Sequence, residues 1–276
     1  MLAGATALLA CGFSGTGVFE ASPDAASNSD AASNSAAASD GASGDASDGG
    51  VATDGGAYQA AVLADGPLLY YRLEEAAGAT TAVSQVADSP PANVLAAPTL
   101  NVAGKHGRAF AFDGQTDAYL EVAGDSTQFT GLSPYSLEAW VFPRVDDDTY
   151  RHIFTRDTND QGGGRNEYGV YFLDSKLGFE RISDGSNAKV TSPTLPLNAW
   201  YHVVAVYDGV NVSLWVNGQR VAQAGDTRQT KTKDKPLRFG SRDPNGGRFN
   251  GTIDEIAVYA RALTQERIQA HFLAAD

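Results

Sequence analysis

The residues best suited to chemistry gather between Arg151 and Tyr171. Arg151, His152, Arg156, Tyr168 and Tyr171 flank the loop 157–166, which contains Gly162-Gly163-Gly164. Aromatic faces combined with fixed hydrogen-bond donors and acceptors hold a sugar ring. A polar, glycine-rich insertion on a rigid scaffold is also where binding concentrates. His152, Arg156, Tyr168 and Tyr171 are therefore the candidate ligand-binding residues. Proton-transfer chemistry has a poorer basis. The four histidines, His106, His152, His202 and His271, have no Ser or Cys nearby in sequence that suggests a triad. Asp254 and Glu255 are adjacent, and neighbours on a regular strand point to opposite faces, so the two are not expected to share a substrate. Asp146-Asp147-Asp148 reads as a solvated acidic loop.

The elements that must position these residues are strands. Period-two alternation recurs from Phe110 onward, each run bounded by Gly, Asp, Asn or Pro, which is the pattern of short antiparallel strands. Ala109–Phe112 and Ala118–Val122 flank a polar loop and read as a hairpin or strand pair. Ser136–Phe142 is apolar on both faces, as in a strand inside a sandwich or facing a groove. His152–Arg156, Glu167–Leu173, Lys176–Ile182, Tyr201–Tyr207, Asn211–Val216, Gln219–Gln223, Leu237–Ser241 and Thr252–Tyr259 continue the series. Asn217-Gly218 supplies the strongest short hairpin signal, because both turn positions need positive φ. Thr264 reads as the N-cap of a short C-terminal helix. Trp140, Trp200 and Trp215 lie within strand patterns and read as core.

The N-terminus differs in kind. Leu2–Ala10 is far shorter than the roughly 20 residues of a membrane-spanning helix, but it suits the apolar part of a cleaved signal. Leu8-Leu9-Ala10-Cys11 resembles the lipobox, in which a cysteine follows a small residue and is acylated after cleavage. Cys11 is the sole cysteine, so no intramolecular disulfide can form. From Phe13 to Ala57 the chain is mostly Ala, Ser, Asp and Gly with seven carboxylates, and the first basic residue is Arg72. So little apolar surface cannot offset the entropy of ordering, which predicts a disordered tether. The chain divides into a signal with its lipobox Cys (1–11), a linker (12–57) and a folded domain (58–276). The domain opposes 20 basic residues to 26 acidic ones. No basic cluster stands out, which argues against a nucleic-acid partner.

Several motifs then fall in a familiar order: Tyr70-Tyr71-Arg72-Leu73-Glu74-Glu75, Phe110-Ala111-Phe112-Asp113-Gly114, Ser136-Leu137-Glu138-Ala139-Trp140-Val141, Trp200-Tyr201-His202-Val203, Val216-Asn217-Gly218, and Gly251-Thr252-Ile253-Asp254-Glu255-Ile256 with Tyr259-Ala260-Arg261-Ala262-Leu263. Together, over about residues 68–273, they resemble the laminin-G-like, concanavalin A-like jelly-roll domains of secreted bacterial proteins. The resemblance implies an all-β fold, a two-sheet antiparallel jelly-roll sandwich. It also implies a structural Ca2+, with Asp254 of the last strand, Asp88 of the N-terminal segment and Asp113 as its charged ligands. Where relatives carry Gly and Asn after Asp-Ser, this chain has Ser89-Pro90-Pro91-Ala92-Asn93. Glycosidases of this fold place Glu-x-Asp-x-x-Glu on one strand. That spacing is absent from the sequence.

These readings converge on a surface-anchored, non-catalytic binding module that recognises carbohydrate. The alternatives are a structural or adhesive domain binding another surface protein, and a degenerate polysaccharide-degrading enzyme. The expected place is the extracytoplasmic cell envelope, at the outer or plasma membrane surface, with the membrane met only through the lipid on Cys11.

Overall fold

The computed structural model describes residues 56–123, 127–157, 166–183, 186–229, 235–242 and 246–276. Cys11, the linker as far as residue 55 and residues 158–165 of the glycine-rich loop lie outside the described residues.

Helix α1 (Gly56–Ala64) precedes four short strands, β1 (Leu69–Tyr71), β2 (Thr81–Ala82), β3 (Ala92–Leu95) and β4 (Thr99–Ala103). There follow β5 (Arg108–Asp113), β6 (Tyr119–Val122), β7 (Tyr135–Pro143), β8 (Arg151–Asp157), β9 (Asn166–Leu173) and β10 (Lys176–Ser183). Then come β11 (Ser186–Thr191), β12 (Tyr201–Tyr207), β13 (Asn211–Val216), β14 (Gln219–Gly225), β15 (Leu237–Phe239), β16 (Asn250–Tyr259) and helix α2 (Gln265–Leu273). Sheet one has the order β14-β13-β12-β7-β16-β5-β4, with β1 also paired to β16. Sheet two has the order β11-β10-β9-β8-β15-β6-β3-β2. Neighbouring strands run antiparallel. The molecule is the expected jelly-roll sandwich.

Alternation determines what fills it. Leu137, Ala139 and Val141 of β7 and Val203 and Ala205 of β12 meet Tyr168, Val170 and Phe172 of β9 and Leu177 and Phe179 of β10 between the sheets. The two-residue turns behave as their dihedrals require. Asn217 and Gly218 have φ of 50° and 73° and join Val216 to its partner Gln219. Asp174 and Ser175, at φ 50° and 56°, do the same for Leu173 and Lys176. One expected pair does not form. β5 joins β16 and β4 in sheet one, whereas β6 joins β15 and β3 in sheet two. The polar loop after Asp113 is thus a crossing between layers, and a five-residue loop is long enough to cross the roughly 10 Å between packed sheets.

The apolar outer face of β7 is covered from outside. Trp140 of β7, Val204 and Val206 of β12, Trp215 of β13 and Tyr259 of β16 are sealed by Tyr58 and Val62 of α1 and by Ile268 of α2. Thr264 caps α2, its hydroxyl accepting the Arg267 N–H at 3.4 Å. Trp140 and Trp215 are buried, while Trp200 is partly buried against the same cluster. Both described α-helices therefore lie on sheet one, and the outer face of sheet two has neither over it.

Candidate ligand-binding site

On that outer face His152 of β8 stands opposite Tyr171 of β9, and Tyr171 stands opposite Gly178 of β10. Both side chains are buried, and His152 also lies under the segment at Gly247, whose carbonyl accepts its backbone N–H at 2.8 Å. The Tyr171 ring lies across the glycine. A Cβ at residue 178 would stand 2.5 Å from the Tyr171 hydroxyl and closer still to Cζ and Cε2. A glycine inside a strand often marks such a close approach. Above them sits Tyr150, which is 40% exposed. Its ring centroid is 4.8 Å from that of Tyr171 and 6.1 Å from that of His152. Lys189 of β11 completes the group. Its Nζ donates to the Tyr150 hydroxyl at 3.2 Å and lies 5.2 Å from the Tyr171 ring centroid. Burial pushes the Tyr171 phenol up to about 12, so it stays a neutral hydroxyl at physiological pH.

A polar band crosses the sheet beside this group. Lys189, Glu180, Gly169, Thr155, Arg238, Glu121 and Asn93 pair in register from β11 to β3, on the same face as Tyr171. Arg238 donates from Nε to Glu121 at 2.7 Å and lies over the Tyr119 ring at 5.3 Å. Glu180 and Glu121 are four strand spacings apart, about 19 Å. Paired carboxylates in glycosidases stand about 5–9.5 Å apart, so these two cannot work on one bond.

Two of the four predicted ligand residues face elsewhere. Tyr168 precedes Tyr171 by three positions, so the strand turns them to opposite faces. Its ring sits in the inter-sheet core, 5.0 Å from that of Tyr135, with no exposed surface. Arg156 is turned inward by a bulge between His152 and Phe154. Its Nε donates to Glu167 at 2.8 Å, and both side chains are fully buried. The other Glu167 oxygen accepts the Gly131 N–H at 2.6 Å, so the ion pair pins the segment ahead of β7. Tyr168 and Arg156 are packing and fastening residues. Sequence reasoning missed Tyr150, Gly178 and Lys189. The alternation of Ser186–Thr191, with Ala188 and Val190 turned inward, was the available signal for Lys189.

The three aspartates expected to hold calcium do not come together. Asp113 caps its own turn, accepting the N–H groups of Gln115 and Thr116 at 2.8 Å each. Those bonds hold its carboxyl below the usual range. Asp88 is an exposed residue with φ 61°. Asp254 is fully buried, and its Oδ2 accepts the His106 N–H at 3.0 Å. Asp113 pairs with Asn250, four residues before Asp254 on β16, which separates the two by about 13 Å. Calcium takes six to eight oxygens at about 2.3–2.6 Å, and this trio cannot supply them to one ion. Among the described residues no group of three or more His, Cys, Asp or Glu is arranged to hold a metal.

Asp254 and Glu255 also break the expected alternation. The register of β16 against β7 shifts between Asp254 and Ala257, and Glu255 has φ 53°. The bulge turns both acids to the outer face of sheet one. There Glu255 accepts from the Tyr70 hydroxyl and, at 3.2 Å, from Arg72 Nε. Burial first, then the neighbouring Glu255 charge, raises the pKa of Asp254. Burial likewise raises that of Glu255. The pair is fully buried beneath the β4–β5 turn, on the sheet opposite Tyr150.

Comparison with known proteins agrees with this architecture. The model of the concanavalin A-like lectin/glucanases superfamily matches residues 112–269. The adhesion G-protein coupled receptor V1 of Danio rerio is 24% identical over 176 residues, 58% of this chain and 3% of the receptor. The binding domain of Paraclostridial Mosquitocidal Protein 1 superposes with a TM-score of 0.61 at 14% identity, covering 76% of this chain and 52% of that one. A structure showing that cell entry of botulinum neurotoxin type C is dependent upon interaction with two ganglioside molecules gives 0.60 at 12% identity, covering 79% and 53%. At such identities the likeness is one of fold. The chain spans about half the length of these toxin domains and a small fraction of the receptor. With more than half its length matched by one family model and its strands in two antiparallel sheets, the chain belongs to the concanavalin A-like lectin/glucanases superfamily.

Proposed function

We propose that this chain is a non-catalytic binding module whose open sheet-two face takes a neutral glycan, and that a lipid on Cys11 displays it on the cell envelope. The observation that carries the reading is Tyr150, a half-exposed aromatic ring held in place by Tyr171, His152 and Lys189 on the face that neither described α-helix covers. A sugar ring stacks on such a surface, and the half-buried Arg238 and Asn93 of the band bring planar polar groups to the same face. The net negative charge of the domain disfavours anionic chains. The fold neighbours include the binding domain of one toxin and a chain of another whose cell entry is dependent upon interaction with two ganglioside molecules, which supports a binding role.

The test is a titration of the full chain against a panel of neutral and acidic oligosaccharides. Tyr150→Ala is expected to weaken binding at least tenfold without unfolding the domain, because so much of the ring already faces solvent. Unchanged affinity in both Tyr150→Ala and Lys189→Ala places the ligand elsewhere. If no glycan binds at millimolar concentration while a surface protein does, the adhesive reading replaces this one.

A further inference from the structure

We propose that His271 is a doubly protonated clasp that fastens α1 and α2 to the outer face of sheet one, and that the clasp opens as pH rises. The argument is one of donors and acceptors. His271 is fully buried. Its Nδ1 lies 3.0 Å from each carboxylate oxygen of Glu138, on β7. Its Nε2 lies 2.8 Å from Asp65 Oδ2 and 3.0 Å from the carbonyl of Ala61, at the end of α1. Carboxylate and carbonyl oxygens only accept, and a neutral imidazole has one donor, so both ring nitrogens must carry hydrogen.

Glu138 cannot reverse the assignment by holding the proton itself. Three further groups sit on its two oxygens, the hydroxyls of Tyr58 at 2.9 Å and Tyr259 at 2.6 Å and His202 Nε2 at 2.7 Å, so the carboxylate is ringed by donors that favour its ionised form. Burial alone would raise its pKa, but His271 and His202 more than offset this and hold it well below the ordinary value. For His271, burial lowers the pKa while Glu138 and then Asp65 raise it, with a net rise.

The groups that face His271 come from every element packed on it. β7 contributes Glu138, β12 contributes His202 through Glu138, and β16 contributes Tyr259, its ring centroid 6.4 Å away. α1 contributes Tyr58 at 6.3 Å, and the residue that follows α1 is Asp65. Asp65 is also paired with Arg261 at 2.6 Å and with Arg267 of α2 at 2.7 Å. One imidazolium thus joins three parts of the chain. Because the closed form holds a proton that the open form releases, the stabilisation is complete below about pH 6.5 and is lost as pH rises through the raised pKa. Between those limits the opening equilibrium grows about tenfold per pH unit.

The test follows imidazole 15N–1H signals and amide exchange of the full chain from pH 5 to pH 10. His271 should keep two N–H signals at neutral pH. Protection of the α1 and α2 amides, corrected for intrinsic exchange, should fall about tenfold per pH unit as the second signal disappears, while amides of β7 and β12 remain protected. His271→Gln, which keeps a donor but no charge, should remove that slope. Asp254 and Glu255 release protons in the same pH direction, so it is the variant's loss of slope that identifies His271. A single N–H on His271 at pH 6, or helices whose protection does not change as it titrates, overturns the proposal, and the wild-type spectra decide this even if the variant fails to fold.

Discussion

Substituting Gly178 by alanine tests whether the open face is built as described. The added methyl would meet the Tyr171 ring well inside van der Waals contact, at 2.5 Å from the hydroxyl and nearer to two ring carbons. The ring has no easy retreat, with the Tyr150 ring tilted against it at 4.8 Å and Lys189 alongside. Overpacking of this kind costs about 1–3 kcal/mol. In a domain of this size each kcal/mol lowers the melting temperature by about 2–4 °C, so the midpoint should drop by about 2–12 °C. The displaced Tyr171 should also tilt Tyr150 and weaken glycan binding. Thermal unfolding of Gly178→Ala, Tyr171→Ala and the double variant forms a cycle that isolates the contact. With the tyrosine already truncated, the alanine should cost less than about 0.5 kcal/mol, since nothing remains for it to strike. Equal costs in both backgrounds would refute the reasoning, because the ring could not then lie over the glycine.

Tyr168 is expected to behave as core. Its hydroxyl is buried without a hydrogen-bond partner, so Tyr168→Phe should be neutral or slightly stabilising in a melting experiment, whereas Tyr168→Ala should cost about 3–5 kcal/mol. Arg156→Met leaves the Glu167 carboxylate buried without its ion pair, and denaturant unfolding should register a loss of about 3–5 kcal/mol. A glycan-binding defect in Arg156→Met without loss of stability would return that residue to the ligand face. Cys11→Ser should move the protein from the membrane to the soluble fraction on fractionation, and retention with unchanged mass would remove the anchor from the proposal.

Most of the sandwich was legible because each long strand announces one face by alternation, and β7 announces two covered faces. The short strands β1 to β4 and helix α1 carry too few residues, or too uniform a composition, to show a period. The loop after Asp113 looked like a hairpin because local sequence cannot say whether a polar loop reverses a strand or crosses to the other layer. The outer face of sheet two was half legible. His152 and Tyr171 point to that face, whereas Tyr168 is turned from it by a parity already visible in the strand. Arg156 was turned inward by a bulge that no glycine flags. Asp254 and Glu255 share a face for the same kind of reason, since Glu255 takes a positive φ without being Gly or Asn. The Glu138 cluster could not be read at all, because its members come from five elements between residues 58 and 271.

The first and last described elements are also neighbours. Arg267 of α2 donates to the carbonyl of Ala61 in α1 at 3.4 Å, and both helices lie on sheet one. The two ends of the described domain lie on one side, away from the face proposed for ligand, which makes the unit modular in a literal sense. It can be appended to a neighbour or spliced into a host loop without anything passing over Tyr150. A permuted chain, with residue 276 linked to residue 56 and new ends opened at the exposed turn around Asp208 and Val210, keeps every strand pairing intact. For this sandwich, such geometry turns recombination into a change of address, with no redesign of its interior.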